Sequence, residues 1–168
     1  VQSALTGHLV FSTLHTNDAL SAFTRLLDMG VEPFLVASSV RAVQAQRLVR
    51  RLCERCARPL EPPQAIIEIS RQLQQRYPDL FGDAATWRTP QGCPHCRGSG
   101  YRGRIGIYEL VNVSMMIQHA IMQKATAGEM VTIAWKEGYR TLREDGLIKA
   151  WRGMTSIDEV LRVTGIAG

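Results

Sequence analysis

The chain has 168 residues, of which 45% are hydrophobic and 21% charged, and its 20 basic against 15 acidic residues give a net charge of +5. That length suits one ordinary domain or two small ones, and the composition is that of a soluble globular protein. No apolar run approaches the roughly 20 residues of a membrane helix, and no signal-peptide pattern is present, so the expected compartment is the cytoplasm.

Residues 9–14, Leu-Val-Phe-Ser-Thr-Leu, are short, apolar and β-favouring, and predict a buried strand. The polar turn His15-Thr16-Asn17-Asp18 supplies N-caps for a helix running to about Met29. Ala19, Ala22, Phe23, Leu26 and Leu27 would line one face of it, and Gly30 closes it. Pro33 opens a second helix predicted to reach Leu52, with Leu35, Val36, Val40, Val43 and Leu48 inward. Strand, turn, helix, helix is an α/β fragment, and one strand cannot make a sheet. Either the remaining strands lie upstream of Val1, which reads as the middle of a longer protein, or the fragment is not stable alone.

The character changes at Cys53. Residues 57–92 are rich in Pro, Gln and charge, with a helix expected around Ala65 to Arg76. Tyr101 to Val111 alternates enough to predict a strand or hairpin, with Gly103 and Gly106 permitting bulges. Helices follow from Ser114 to Lys124, Gly128 to Glu137 and Leu142 to Arg152. Ser156-Ile157-Asp158-Glu159 has the spacing of a capping box and opens a last short helix. The reading divides the chain into residues 1–52, residues 53–112 with both cysteine pairs, and a helical part, 113–168.

The four cysteines form two C-x-x-C pairs, Cys53/Cys56 and Cys93/Cys96, with none left over. Two residues between thiolates let one turn present both sulfurs to one ion, and two such turns complete a tetrahedral Cys₄ shell typical of zinc. Such a shell leaves no open position, so the metal would be structural. Gly98 and Gly100 leave room for backbone N–H groups to reach the sulfurs. Disulfides within the pairs are disfavoured in a reducing compartment. A redox pair would need a C-x-x-C opening a helix, whereas Cys53 is read as ending one and Cys93 as lying in a Gly/Pro loop. An iron–sulfur cluster uses the same ligands and stays open. Residues 57–92 then behave as an insertion whose ends the metal holds together.

Arg41, Arg47, Arg50, Arg51, Arg55 and Arg58 face only Glu54 along 41–58. Such a cluster suits nucleic acid, acidic lipid headgroups or an acidic protein surface, or is simply a solvated helix face. No aromatics interleave with it, so stacking on single strands is not supported. His8 and His15 bracket the predicted strand. In open α/β sheets the polar groups beyond a strand's carboxyl end line the ligand crevice, where His15, Thr16 and a helix N-terminus could sense a phosphate. The plainer reading makes His8 a loop residue and His15 a hydrogen-bonded turn residue.

Leu5-Thr6-Gly7-His8-Leu9-Val10-Phe11-Ser12-Thr13-Leu14-His15-Thr16-Asn17-Asp18 resembles the histidine box of the secretion ATPases of type II secretion and type IV pilus assembly. The likeness continues through Arg25 to Phe34, Ala45 to Cys53, Gly92 to Cys96, Gly100 to Glu109, Arg140 to Gly146 and Leu161 to Gly165. Only the span between the cysteine pairs looks idiosyncratic. The resemblance implies the end of a RecA-like ATPase domain, followed by a tetracysteine zinc element on Cys53, Cys56, Cys93 and Cys96 and a small helical subdomain. It implies a homo-hexamer that uses ATP and magnesium on the cytoplasmic face of the bacterial inner membrane. There it would drive pseudopilus or pilus assembly through membrane platform proteins, with no nucleic acid involved. His8, His15 and Thr16 match box positions near the nucleotide.

One departure limits that expectation. The chain has no G-x-x-x-x-G-K-[ST] and no acidic boxes for magnesium and water. The family places these upstream, so this segment is expected to be the C-terminal part of the ATPase and inactive alone. Retraction members of the wider family lack the tetracysteine element, which favours an assembly or secretion motor. A rival reading is a zinc-stabilised adaptor or nucleic-acid binder, since Cys93 to Gly100 also resembles one zinc repeat of the J-domain co-chaperones. Those carry several copies and this chain has one.

Overall fold

Caps and apolar spacing decide most of the helices. The computed structural model describes residues 1–81 and 84–165. Its helices are α1 (Gln2–Leu5), α2 (Ser21–Asp28), α3 (Pro33–Ser39), α4 (Gln64–Arg76), α5 (Met115–Met122), α6 (Ala127–Lys136), α7 (Leu142–Trp151) and α8 (Ile157–Thr164). Its strands are β1 (Ala42–Leu52), β2 (Arg58–Pro59), β3 (Arg88–Thr89) and β4 (Tyr101–Asn112). β1 pairs with β4 and β2 with β3. Val113 N–H donates to Arg41 O beyond one end of the first pair and Cys53 N–H to Gly100 O beyond the other, so the strands run antiparallel.

Three expectations change. Residues 9–14 are not a buried strand: they have no regular structure, and Leu9 and Phe11 are 82% and 88% exposed. A buried strand needs neighbours for its N–H and C=O groups, and no described strand pairs with this segment. The helix begun at Pro33 stops at Ser39, and the residues up to Leu52 form β1. Leu48 is exposed rather than inward, and Cys53 follows a strand rather than a helix. The capping box at Ser156 is only half formed. Ser156 Oγ accepts Glu159 N–H at 3.2 Å, but the Glu159 carboxylate turns away to two arginines.

The chain divides into two compact units, residues 1–45 with 109–141 and residues 46–108 with 142–168. In the first, Leu20, which precedes α2, Phe23 of α2, Val36 of α3, Ile117 and Ile121 of α5 and Met130 of α6 form the core. Ser114 caps α5, and Thr126 with Glu129 makes a complete capping box on α6. Buried Glu109 accepts Ala19 N–H at 2.5 Å.

In the second unit α4 and α7 pack Ile66, Leu73, Leu147 and Ile148 together with Trp87, Ile157 and Val160. Trp151 stands edge-on to Phe81 and Trp87, ring centroids 5.0 and 5.6 Å away. The span between the cysteine pairs is therefore no mere loop. α4 and Trp87 belong to this core, and β2 pairs antiparallel with β3, Arg58 opposite Thr89, so backbone bonds also join its two ends.

Candidate metal centre

The four-cysteine cluster is built where β1 ends and β4 begins. Cys53 follows Leu52, and a tight turn carries the chain to Cys56, whose N–H bonds Cys53 O at 3.2 Å. Cys93 opens a single 3₁₀ turn, Pro94–Cys96, and Gly98 N–H returns to Cys93 O at 2.9 Å. Glycines make the second knuckle possible. A Cβ on Gly92 would fall 2.5 Å from Gly98 O, and both Gly92 and Gly100 hold positive φ, 103° and 75°.

All four sulfurs lie within 4.8 Å of one another. Cys53 and Cys93 Sγ are 3.9 Å apart, Cys56 and Cys96 3.8 Å, and Cys93 and Cys96 3.7 Å. Ligands about 2.3 Å from one central ion stand about 3.8 Å apart on a tetrahedron. The cluster thus has the dimensions of a single-ion tetrathiolate site, and none of its cysteines is in a disulfide. Neither pair opens an α-helix after a strand in the redox-motif manner. Cys53 follows β1 rather than ending a helix, and Cys93 opens only a 3₁₀ turn.

The surroundings favour a thiolate at Cys96 and oppose one at Cys56. Gly100 N–H and Cys93 N–H each donate to Cys96 Sγ at 3.2 Å. Burial opposes ionisation of Cys96, yet these amides, with the Cys93 and Cys56 thiols, bring its pKa down to about 6. Burial pushes Cys56 up to about 11 against the Gly92 N–H, with the other three thiols adding to the rise. Crowded thiols resist ionising together, and a cation between them relieves that resistance. Gly98, expected to turn its amide toward sulfur, gives it to the Cys93 carbonyl instead.

The two histidines of the box lie elsewhere. His8 is exposed, its Nδ1 3.1 Å from Thr6 Oγ1 and 3.2 Å from Ser3 O. His15 is exposed, and Thr16 Oγ1 donates to Asp18 O at 2.9 Å. Among the described residues the four cysteines are the one cluster of metal-ligating side chains, and no histidine enters it.

The basic segment is partly engaged. Arg51 pairs with Glu54 at 2.7 Å, both exposed, and such a pair adds little stability. Arg50 does more. Its guanidinium lies 4.1 Å from the Tyr101 ring centroid and donates to Glu159 Oε2 at 2.6 Å. Glu159, fully buried, also takes Arg50 N–H at 2.9 Å and two bonds from Arg162 at 2.7 and 2.8 Å. Burial works against its charge, but Arg162 and Arg50 outweigh it and lower its pKa from 4.5 to about 2. This group escapes sequence reasoning, because the capping-box spacing accounts for Glu159 locally and nothing announces a partner 109 residues away.

Comparison with known proteins covers nearly the whole chain. The family model for "Type II/IV secretion system protein" matches residues 1–162. The type IV pilus assembly ATPase PilB of Thermus thermophilus is 47% identical over 97% of this chain and 18% of its own length. The PilB of Pseudomonas aeruginosa is 44% identical over 98% of this chain and 28% of its own. The type II secretion system protein E of Aeromonas hydrophila is 47% identical over 98% of this chain and 31% of its own. The chain thus spans less than a third of the length of these relatives.

Proposed function

The chain belongs to the type II/IV secretion system protein family, and on that premise we propose that it is the C-terminal part of a hexameric motor ATPase powering type II protein secretion through pseudopilus assembly. The observation that carries this reading is the family match over residues 1–162, with relatives named as ATPases of secretion and pilus machines. The nucleotide, magnesium and catalytic groups would belong to the rest of the motor, since this chain carries no phosphate-binding loop. His8, His15 and Thr16 would respond to the nucleotide. The motor would work on the cytoplasmic face of the inner membrane against platform proteins, and no described helix is long and apolar enough to cross a membrane.

Cys53, Cys56, Cys93 and Cys96 would hold one zinc ion, which supplies a closed structural cross-link and no reactive position. The spacing of the sulfurs and the amides aimed at Cys96 support that assignment. The chain's own part is mechanical. The second unit, tied together at its cysteine knuckles, would pass nucleotide-driven rotations to a partner, with exposed Arg55 and Arg58 and the 57–92 segment as docking surface.

Assembly of a type IV pilus is the second reading, favoured by pilus relatives at 44–47% identity. Complementation separates the two. The gene for the full-length protein should restore secretion to a strain lacking its own secretion ATPase. Restoration of pili with no secretion would move the assignment to pilus assembly. The isolated chain should release no phosphate from ATP above background, and turnover by it would overturn the reading of an incomplete motor.

A further inference from the structure

One short segment, Met154 to Arg162, grips the strand ends that carry both knuckles. Leu52 N–H donates to Met154 O at 3.0 Å. Thr155, fully buried, donates to Arg50 O at 2.8 Å. Glu159 takes the Arg50 N–H and guanidinium. Ser156 Oγ, bonded by Glu159 N–H, meets Tyr101 OH at 2.7 Å. Cys53 is the residue after Leu52, and Tyr101 follows Gly100, whose N–H points at Cys96 Sγ. The bonds from this segment thus end one to three residues from Cys53 and next to a sulfur donor of the other knuckle.

We propose that Glu159 is a positioning residue for the four-cysteine site, holding the ends of β1 and β4 in register so that metal retention and the order of α8 are coupled. This rests on the metal reading given above. A fully buried carboxylate that satisfies a strand N–H and two arginines is costly to disturb. Groups beyond the ligands that fix ligand orientation commonly change metal affinity 10- to 100-fold. Coupling of this kind is reciprocal, so loss of the metal should loosen α8 as much as loss of the clamp loosens the metal.

The test uses the full-length protein loaded with Zn²⁺ and a chromogenic chelator in excess. Glu159→Gln should release zinc about tenfold faster than the parent, while the cobalt-substituted form keeps its tetrathiolate absorption. Arg162→Ala, at an exposed residue, should give a smaller acceleration in the same direction and keeps the test open should the first variant misfold. Ser70→Ala, buried on α4 of the same unit, should release zinc at the parent rate. Hydrogen exchange over 157–164 should rise when the parent is stripped of zinc. Zinc bound by the parent and released at its rate by both clamp variants, with α8 indifferent to the metal, would overturn the coupling alone. A parent that binds no zinc would instead overturn the metal reading.

Discussion

Gly100 and Pro90 approach so closely that a Cβ on Gly100 would stand 2.4 Å from the Pro90 Cβ. Gly100 also holds φ at 75° and gives its N–H to Cys96. Gly138 shares the positive φ, at 86°, but a Cβ there meets nothing. Gly100→Ala should therefore destabilise the protein by about 2 kcal/mol or more, against about 1 kcal/mol for Gly138→Ala. Thermal unfolding of the two variants beside the parent checks the order, and equal losses would show that the contact with Pro90 relaxes freely.

Glu159 predicts a pH dependence with a definite sign. Its pKa falls from 4.5 to about 2 on folding, so the folded state holds the proton less tightly than the unfolded one. The stabilisation is complete above about pH 5 and is lost as the pH falls from about 4.5 through 2. Its size is up to about 3 kcal/mol. The stability difference between the parent and Glu159→Gln, measured by denaturant titration, should be flat from pH 6 upward and shrink in that acid window. A difference that grows with acid would contradict the depressed pKa.

Phe23 and Phe11 separate the packed core from the unpaired segment. Phe23 is fully buried and Phe11 is 88% exposed. In this chain Phe23→Ala should cost about 3–5 kcal/mol, and Phe11→Ala should stay within about 0.5 kcal/mol. Denaturant midpoints of the two variants decide it, and a large loss at Phe11 would mean that residues 9–14 are packed after all.

Phe11 also marks where sequence reasoning runs out. The helices from α4 onward were legible because their signals are local: Ser114 and Ser156 cap their helices through residues three positions on. The cysteine cluster was legible because two residues between thiolates suffice to bring each pair together. Strands are decided by partners far along the chain. Ala42–Leu52 is rich in Gln, Arg, Leu and Ala, which favour helix, and it is extended because β4 pairs with it. Residues 9–14 favour β and have no described partner, so propensity alone misled there too. The same distance hid Glu159, whose partner Arg50 sits on that unforeseen strand.

The central claim, that Cys53, Cys56, Cys93 and Cys96 enclose one structural zinc, is tested most directly by elemental analysis of the purified full-length protein together with thiol titration. One zinc per chain is predicted, with these four thiols protected until the metal is stripped, and with the metal lost when Cys53 and Cys93 are both changed to Ser. Metal-free protein whose four thiols react at once, or zinc retained by the double variant, would contradict it.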